Sequence, residues 1–270
     1  MMTPSLLHTI DSPLPEGTTI SQAAPTANSN CDDRLMETRR RWITGPSTEF
    51  SLFQERLREN EPLVLPEGNR SRCFAVFKRC LDLLGSLLLL AILSPLLLTI
   101  TVVLTATTGG HPFFVQKRVG FRGLPFPMIK FRTMRLDADR LQSLVRNQHT
   151  DGPIFKNRHD PRITTVGRWL RRTSLDETPQ LINVLLGHMS MVGPRPPLAK
   201  EVAQYQRWQR RRLAVMPGLT CLWQVSGRSE IGFEDWVRLD LWYVRNQSMR
   251  TDLKLLIKTP GSVLSGRGAY

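Results

Sequence analysis

FKRCLDLLGSLLLLAILSPLLLTITVVL, residues 77–104, is the stretch whose reading decides the fold. Residues 83–104 run 22 positions without a charge. As a helix that is enough to cross the ~30 Å hydrocarbon core of a bilayer. Two features complicate a simple span. Ser94-Pro95 lies mid-run, where proline removes a backbone donor and crowds the preceding turn, so a break or kink is expected there. Both flanks are basic, with Arg70, Arg72, Lys78 and Arg79 before and Lys117, Arg118 and Arg122 after, and such flanks prefer the cytoplasm. A helix that enters, turns at Ser94-Pro95 and returns satisfies both observations. A kinked single pass satisfies the length, since proline is tolerated in spans. Either way the chain is membrane-bound.

Working outward, residues 1–46 are rich in Ser, Thr, Pro and Asn without a hydrophobic period, and are expected to be disordered. SLFQERLREN (51–60) reads as a short helix with Phe50, Phe53 and Leu57 on one face. The formal net charge is +14, and residues 1–33 hold four acids and no Lys or Arg, so the remainder carries +18. A surplus of that size implies an anionic partner: nucleic acid, a membrane surface or phosphorylated ligands. Cys31, Cys73, Cys80 and Cys221 form no CxxC pair, so zinc is not expected and reduced thiols are.

Beyond the apolar run, HPFFVQKRVGFRGLPFPMIKFRTM (111–134) reads as a β-hairpin with strands near 112–117 and 126–131. Its cations, Lys117, Arg118, Lys130 and Arg132, face either phosphate or solvent. Residues 135–148 read as a helix with Leu136, Leu141, Leu144 and Val145 as the buried stripe, and Asp160-Pro161 as a turn. RRTSLDETPQLINVLLGHMSMVGPRP (171–196) sets the adjacent carboxylates Asp176 and Glu177 between the Arg171-Arg172 pair and Arg195, which lies between two prolines. Acids ringed by cations suit phosphate chemistry: one carboxylate attacks or takes a proton, another holds a hard metal, and guanidiniums neutralise phosphoryl oxygens. Two local alternatives stay open. Ser174 and Glu177 form a capping-box pattern, and Pro179 after Thr178 suits the first position of a helix. Residues 198–213 read as one helix ending in four arginines that suit headgroups or solvent, and FEDWVRLDLWYVRN and TDLKLLIKTPGSVL as two more. Trp236, Leu239, Tyr243, Leu253, Leu256 and Ile257 are the expected core of that last pair.

The ordered set KR-CLD, Ser94-Pro95, PFFVQKRVG, KFRTM, DPRIT-VGRWLRRTSLDETPQLINVLLG-MSMVGPRP, MPGLT-LWQVSGR, LD-WYV-N-S and DLKLL, spanning about residues 74–265, resembles the bacterial sugar transferases, the monotopic phosphoglycosyl transferases. No run of spanning helices precedes it, so it is similar to the short form. The resemblance implies transfer of a hexose-1-phosphate from a UDP-sugar to undecaprenyl phosphate at the cytoplasmic face of the bacterial inner membrane. UMP is released and a surface glycan begun. It implies Asp176 as nucleophile, Glu177 on Mg²⁺, and Arg171, Arg195, Lys130, Arg132 and Asp240 at the substrate phosphates, with Asp240 having the plainer alternative of pairing an arginine. It leaves a homo-oligomer open. Thr178, His188 and Cys221 depart from the family pattern.

The fold expected is α-rich α+β. A tail (1–70) is followed by a re-entrant or single membrane helix (74–108) and a small cytosolic domain (109–265) of amphipathic helices with a β-hairpin. The competing functional reading is a non-catalytic, membrane-tethered adaptor that binds anionic lipid or a partner protein. Nucleic acid is not expected, because the basic residues are dispersed and no recognition motif accompanies them.

Overall fold

A computed structural model describes residues 72–148, 151–155, 157, 159–226 and 232–265. The expected tail and the helix at 51–60 lie outside these. Helix α1 (Arg72–Thr107) is followed by a hairpin of β1 (Phe113–Val119) and β2 (Pro125–Phe131). Then come α2 (Thr165–Arg172), α3 (Gln180–Leu185), β3 (Ser190–Val192), α4 (Ala199–Ala203) and α5 (Arg207–Arg210). The chain continues through β4 (Gly218–Thr220), α6 (Leu222–Ser226), α7 (Phe233–Arg245) and α8 (Met249–Ser265). The result is the expected helix-rich architecture, with one long apolar helix and little sheet.

α1 is helical through Pro95. The missing proline N–H strands the carbonyl of Ala91, and the Ser94 hydroxyl donates to that carbonyl at 2.8 Å. Ser-Pro thus removes a donor and supplies another in adjacent residues, which lets the helix continue. One face of α1 is buried, carrying Lys78, Asp82 and Ser86 near its start and Ile100 and Leu104 near its end. Leu84, Leu88, Ile92 and Leu98, each at least 60% exposed, line the opposite face.

Both ends of α1 are fastened to the rest of the chain. Lys78, expected as part of a basic flank on the cytoplasmic side, is instead buried in the chain itself. Its ammonium lies 2.6 Å from Asp252 on α8, and donates to the Val192 carbonyl at 3.0 Å. Arg79 donates to the last carbonyls of α3, Val184 (2.7 Å) and Leu185 (2.8 Å). Asp82 accepts from the Ser190 hydroxyl and the Met191 N–H. At the far end, Ile100 and Leu104 pack with Phe131 and Leu170.

The hairpin pairs Phe113 with Phe131 through Val119 with Pro125. Along β1, Phe113, Val115 and Lys117 are exposed and Phe114, Gln116 and Arg118 turn inward, the period of two that a half-covered strand requires. The outer edge of β2 is held by a side chain: Asn183 of α3 donates to the Pro127 carbonyl (2.7 Å) and accepts from the Ile129 N–H (2.9 Å). β3 and β4 form a second, parallel pair, Ser190 with Gly218 and Val192 with Thr220. Beside it Gly193 and Gly218 meet so closely that a Cβ on Gly218 would lie 2.0 Å from the Gly193 nitrogen.

Three expectations are corrected. Residues 135–148 form turns with one short 3-10 segment, Gln142–Leu144, and Leu136 and Leu144 are exposed. The helix expected over 198–213 is two helices and a 3-10 turn. Its break is built by Gln209, whose side chain accepts from the Gln206 N–H (2.8 Å) and starts a new helix there. On α8, Leu253 and Ile257 point outward, while Leu255 is the buried member.

Candidate active site

α2 begins at Thr164, whose hydroxyl accepts from the Gly167 N–H at 3.0 Å. Gly167 lets the helix dock on the residue that follows β2: a Cβ there would stand 2.0 Å from the Thr133 carbonyl oxygen. That oxygen accepts from the Thr164 N–H (3.0 Å), and the Thr133 hydroxyl accepts from Arg171 Nε (2.9 Å). Thr133 therefore sets both the helix and its arginine.

After α2, Ser174 takes a left-handed conformation (φ 55°), and Leu175–Glu177 form a 3-10 turn. A non-glycine residue held there costs of order 1–3 kcal/mol, a strain placed directly before the dyad. The Ser174 side chain makes no cap bond, so Glu177 does not serve as half of a capping box. Pro179 has helical torsions immediately ahead of α3, the alternative that leaves the acid pair just outside the helix. Glu177 is bound instead to Arg195, with 2.7 Å between Oε1 and the guanidinium.

Arg195 sits in a strip, Val192–Pro197, whose three prolines have no N–H to offer a sheet. Five of its carbonyls are accepted by separate donors. Val192 O takes Lys78 Nζ (3.0 Å) and Tyr243 OH (3.1 Å), and Pro194 O takes Gly218 N (2.9 Å). Arg195 O takes Arg212 Nη2 (3.2 Å), Pro196 O takes Arg118 Nη1 (3.1 Å) and Pro197 O takes Val119 N (2.9 Å). Beyond Val192, where β3 ends, the strip is a mount made without regular secondary structure.

The dyad and these cations line one cleft of about 360 Å³. Arg118, Lys130, Arg171 and Arg195 converge there on Asp176 and Glu177, and over the whole lining seven cations face five carboxylates. Burial and the neighbouring Glu177 push the Asp176 carboxyl up to about 6, against the pull of Arg171 and Lys130. For Glu177 burial is outweighed by Arg195, which holds it below the usual range. Burial, then Arg118 and Arg171, pulls Lys130 down to about 8, and burial with Arg195 lowers Arg118 to about 10. Such crowding of like charge is relieved by a polyanion.

Of the expected site residues, Asp176, Glu177, Arg171, Arg195 and Lys130 meet in this cleft. Arg132 does not line it. Its guanidinium donates to the His111 (2.9 Å) and Phe113 (3.3 Å) carbonyls and closes the base of the hairpin. Asp240 is buried behind the cleft, its carboxylate 2.5 Å from Arg212, the plainer of its two readings. Arg212 is thereby removed from the expected headgroup cluster. Arg118 was legible only as one of several hairpin cations, although strand alternation with Phe114 would have turned it inward. Among the described residues no group of three or more His, Cys, Asp or Glu side chains is placed to hold a metal. Asp176 and Glu177 suit an ion such as Mg²⁺, which takes one or two carboxylates and completes its shell with substrate phosphates and water.

Residues 73–266 match the family model described as bacterial sugar transferase. The chain belongs to the bacterial sugar transferases. Over 197 residues it is 44% identical to the galactosyl transferase CpsE of Streptococcus agalactiae serotype III, covering 72% of this chain and 43% of that protein. It is 41% identical over 201 residues to the undecaprenyl-phosphate galactose phosphotransferase of Salmonella typhimurium, with 72% and 41% covered. The exopolysaccharide production protein ExoY of Rhizobium meliloti is 37% identical over 218 residues, with 78% and 96% covered. The sugar transferase chain thus spans about two fifths of the first two relatives and nearly all of the third. In this sugar transferase the matched region contains α1, the dyad and every cleft cation named above.

Proposed function

We propose that the chain transfers a hexose-1-phosphate from a UDP-sugar to undecaprenyl phosphate, releasing UMP and initiating an exopolysaccharide or surface glycan. The observation that carries this is the Asp176–Glu177 pair on a strained turn inside a cleft with surplus positive charge. The names of the relatives support the same donor and acceptor classes.

In the first step a carboxylate oxygen of Asp176 attacks the sugar-bearing phosphorus. The bond to the bridging oxygen breaks, and UMP leaves with that oxygen and its electron pair. In the second step an oxygen of the lipid phosphate attacks the same phosphorus, the acyl phosphate bond breaks, and Asp176 is restored as carboxylate. Asp176, its carboxyl raised to about 6 by burial and Glu177, attacks as the carboxylate and is held less tightly by water than an exposed one. Arg171, Lys130 and Arg195 orient the diphosphate and neutralise charge as the bonds exchange. Glu177 would hold Mg²⁺, which, when bound, would supply charge neutralisation at the diphosphate oxygens.

The membrane geometry fits a water-soluble donor and a lipid acceptor. A single pass would put the ends of α1 on opposite sides of a ~30 Å core. Lys78 and Asp82 near one end, and Ile100 and Leu104 near the other, are all buried in the same structure. The burial of both ends supports an α1 that enters and leaves on one side rather than a single pass, with the cleft facing the cytoplasm in this reading.

The deciding experiment is UMP release by the purified chain with Mg²⁺ from a panel of UDP-sugars, with and without undecaprenyl phosphate. A stoichiometric burst without acceptor, turning continuous with it, is expected. Release only with acceptor would make Asp176 a base in direct transfer, and no release under any condition would favour the adaptor.

A further inference from the structure

We propose that Asp240 acts on Arg195 through Arg212. The buried Asp240–Arg212 pair, with the Tyr205 hydroxyl, is a positioning device that aims the Arg195 guanidinium at Glu177; Arg212 reaches the cleft wall, and Asp240 does not line it. The inference rests on the reading of the Asp176–Glu177 cleft as the transfer site.

Arg212 and Asp240 are each only 1% exposed. The Arg212 fork has a different task on each side. Nη2 lies 2.5 Å from Asp240 and donates to the Arg195 carbonyl at 3.2 Å, while Nη1 donates to Tyr205 at 3.0 Å. Its guanidinium rests over the Trp236 ring, 5.1 Å from the centroid.

A buried ion pair is poor value as a stabiliser, because apolar residues of similar volume serve stability as well or better. What an apolar pair could not do is hold the main chain of a residue set between two prolines, where no sheet neighbour is available. Arg195 is that residue, and its side chain reaches Glu177 at 2.7 Å. Asp240 fixes the fork, the fork fixes the Arg195 peptide, and the peptide fixes the root of the side chain that meets the dyad. A lysine at position 212 is a point charge on a flexible stem and cannot serve three partners in one plane.

The test is a double-mutant cycle on the full chain in lipid nanodiscs. UMP release is measured from UDP-galactose and UDP-glucose with undecaprenyl phosphate, for wild type, Arg212→Lys, Arg195→Lys and the double variant, each with its melting temperature. Arg212→Lys is expected to lower kcat roughly tenfold or more, with KM for the UDP-sugar within about threefold. On the Arg195→Lys background the same change is expected to cost less than about twofold, since its effect runs through a side chain already replaced. Equal losses on both backgrounds, or a change confined to KM, would overturn the proposal. Tyr205→Phe removes one anchor and keeps the ring, so it carries the same cycle should Arg212→Lys fail to fold. A wild type that releases no UMP from these two or from any other member of the UDP-sugar panel refutes the reading of the cleft. An active wild type with additive losses refutes only the positioning.

Discussion

Gly167→Ala joins the packing of the structure to its chemistry in one methyl group. The added Cβ would stand 2.0 Å from the Thr133 carbonyl oxygen, at least 1 Å inside any tolerated contact. That obstacle is backbone, so it cannot swing aside. α2 must withdraw by about that amount, straining the Thr164 N–H bond to the same oxygen and the Arg171 bond to the Thr133 hydroxyl. Overpacking of this kind costs about 1–3 kcal/mol, and for a chain of this size that lowers the melting temperature by roughly 3–10 °C. Because Arg171 rides on the displaced helix, kcat/KM should fall by one to two orders of magnitude. Differential scanning fluorimetry in detergent and a UMP-release assay below the melting temperature read the two effects separately. A variant within 2 °C and twofold of wild type would refute the docking argument.

Other consequences are equally specific. Asp176→Asn should abolish turnover and the burst together, since an amide cannot form the acyl phosphate; a variant near wild-type turnover would exclude Asp176 as nucleophile. The protonated form of Lys130 binds phosphate and its pKa is lowered to about 8, so kcat/KM should fall as pH rises past 8. Lys130→Arg should move that limb to higher pH, which a pH–rate profile reads directly. Asp252→Ala leaves the buried Lys78 ammonium unpaired and should cost about 3–5 kcal/mol, whereas the Lys78→Met/Asp252→Leu pair should recover most of it in denaturant titrations. Asn183→Leu orphans the Pro127 carbonyl and the Ile129 N–H, a loss of about 2–4 kcal/mol measurable in the same way.

Where a feature was carried by a local pattern, it was legible. The apolar run is helical, though continuous through Pro95 where a break or kink at Ser94-Pro95 was expected, the hairpin lies within two residues of its expected strands, and Phe233–Arg245 and Met249–Ser265 are helices. The dyad, Arg171 and Arg195 were visible as a cluster in the chain, and Lys130 was supplied by the family resemblance. What stayed hidden depends on contacts between distant residues. Lys78 looks like a membrane flank until Asp252 is brought to it, and nothing within the RWQRRRL stretch separates Arg212 from its neighbours before α7 folds over it. β3 and β4, at three residues each, are too short to show a period. The apparent stripe over 135–148 failed for the converse reason. Its spacing suits a helix, but Leu136 and Leu144 find no cover, and isolated helices of that length are marginal.

The bond between Lys78 and Asp252 spans 174 positions of chain. At translation rates of 5–20 residues per second, about 9–35 s separate the emergence of one partner from that of the other. Throughout that interval the membrane segment exists with its polar face unanswered, because Asp82 also waits for Ser190 and Met191. Every chain interrupted before residue 252 therefore lacks the carboxylate that pairs with Lys78. Completion of the polypeptide is itself the step that locks its anchor.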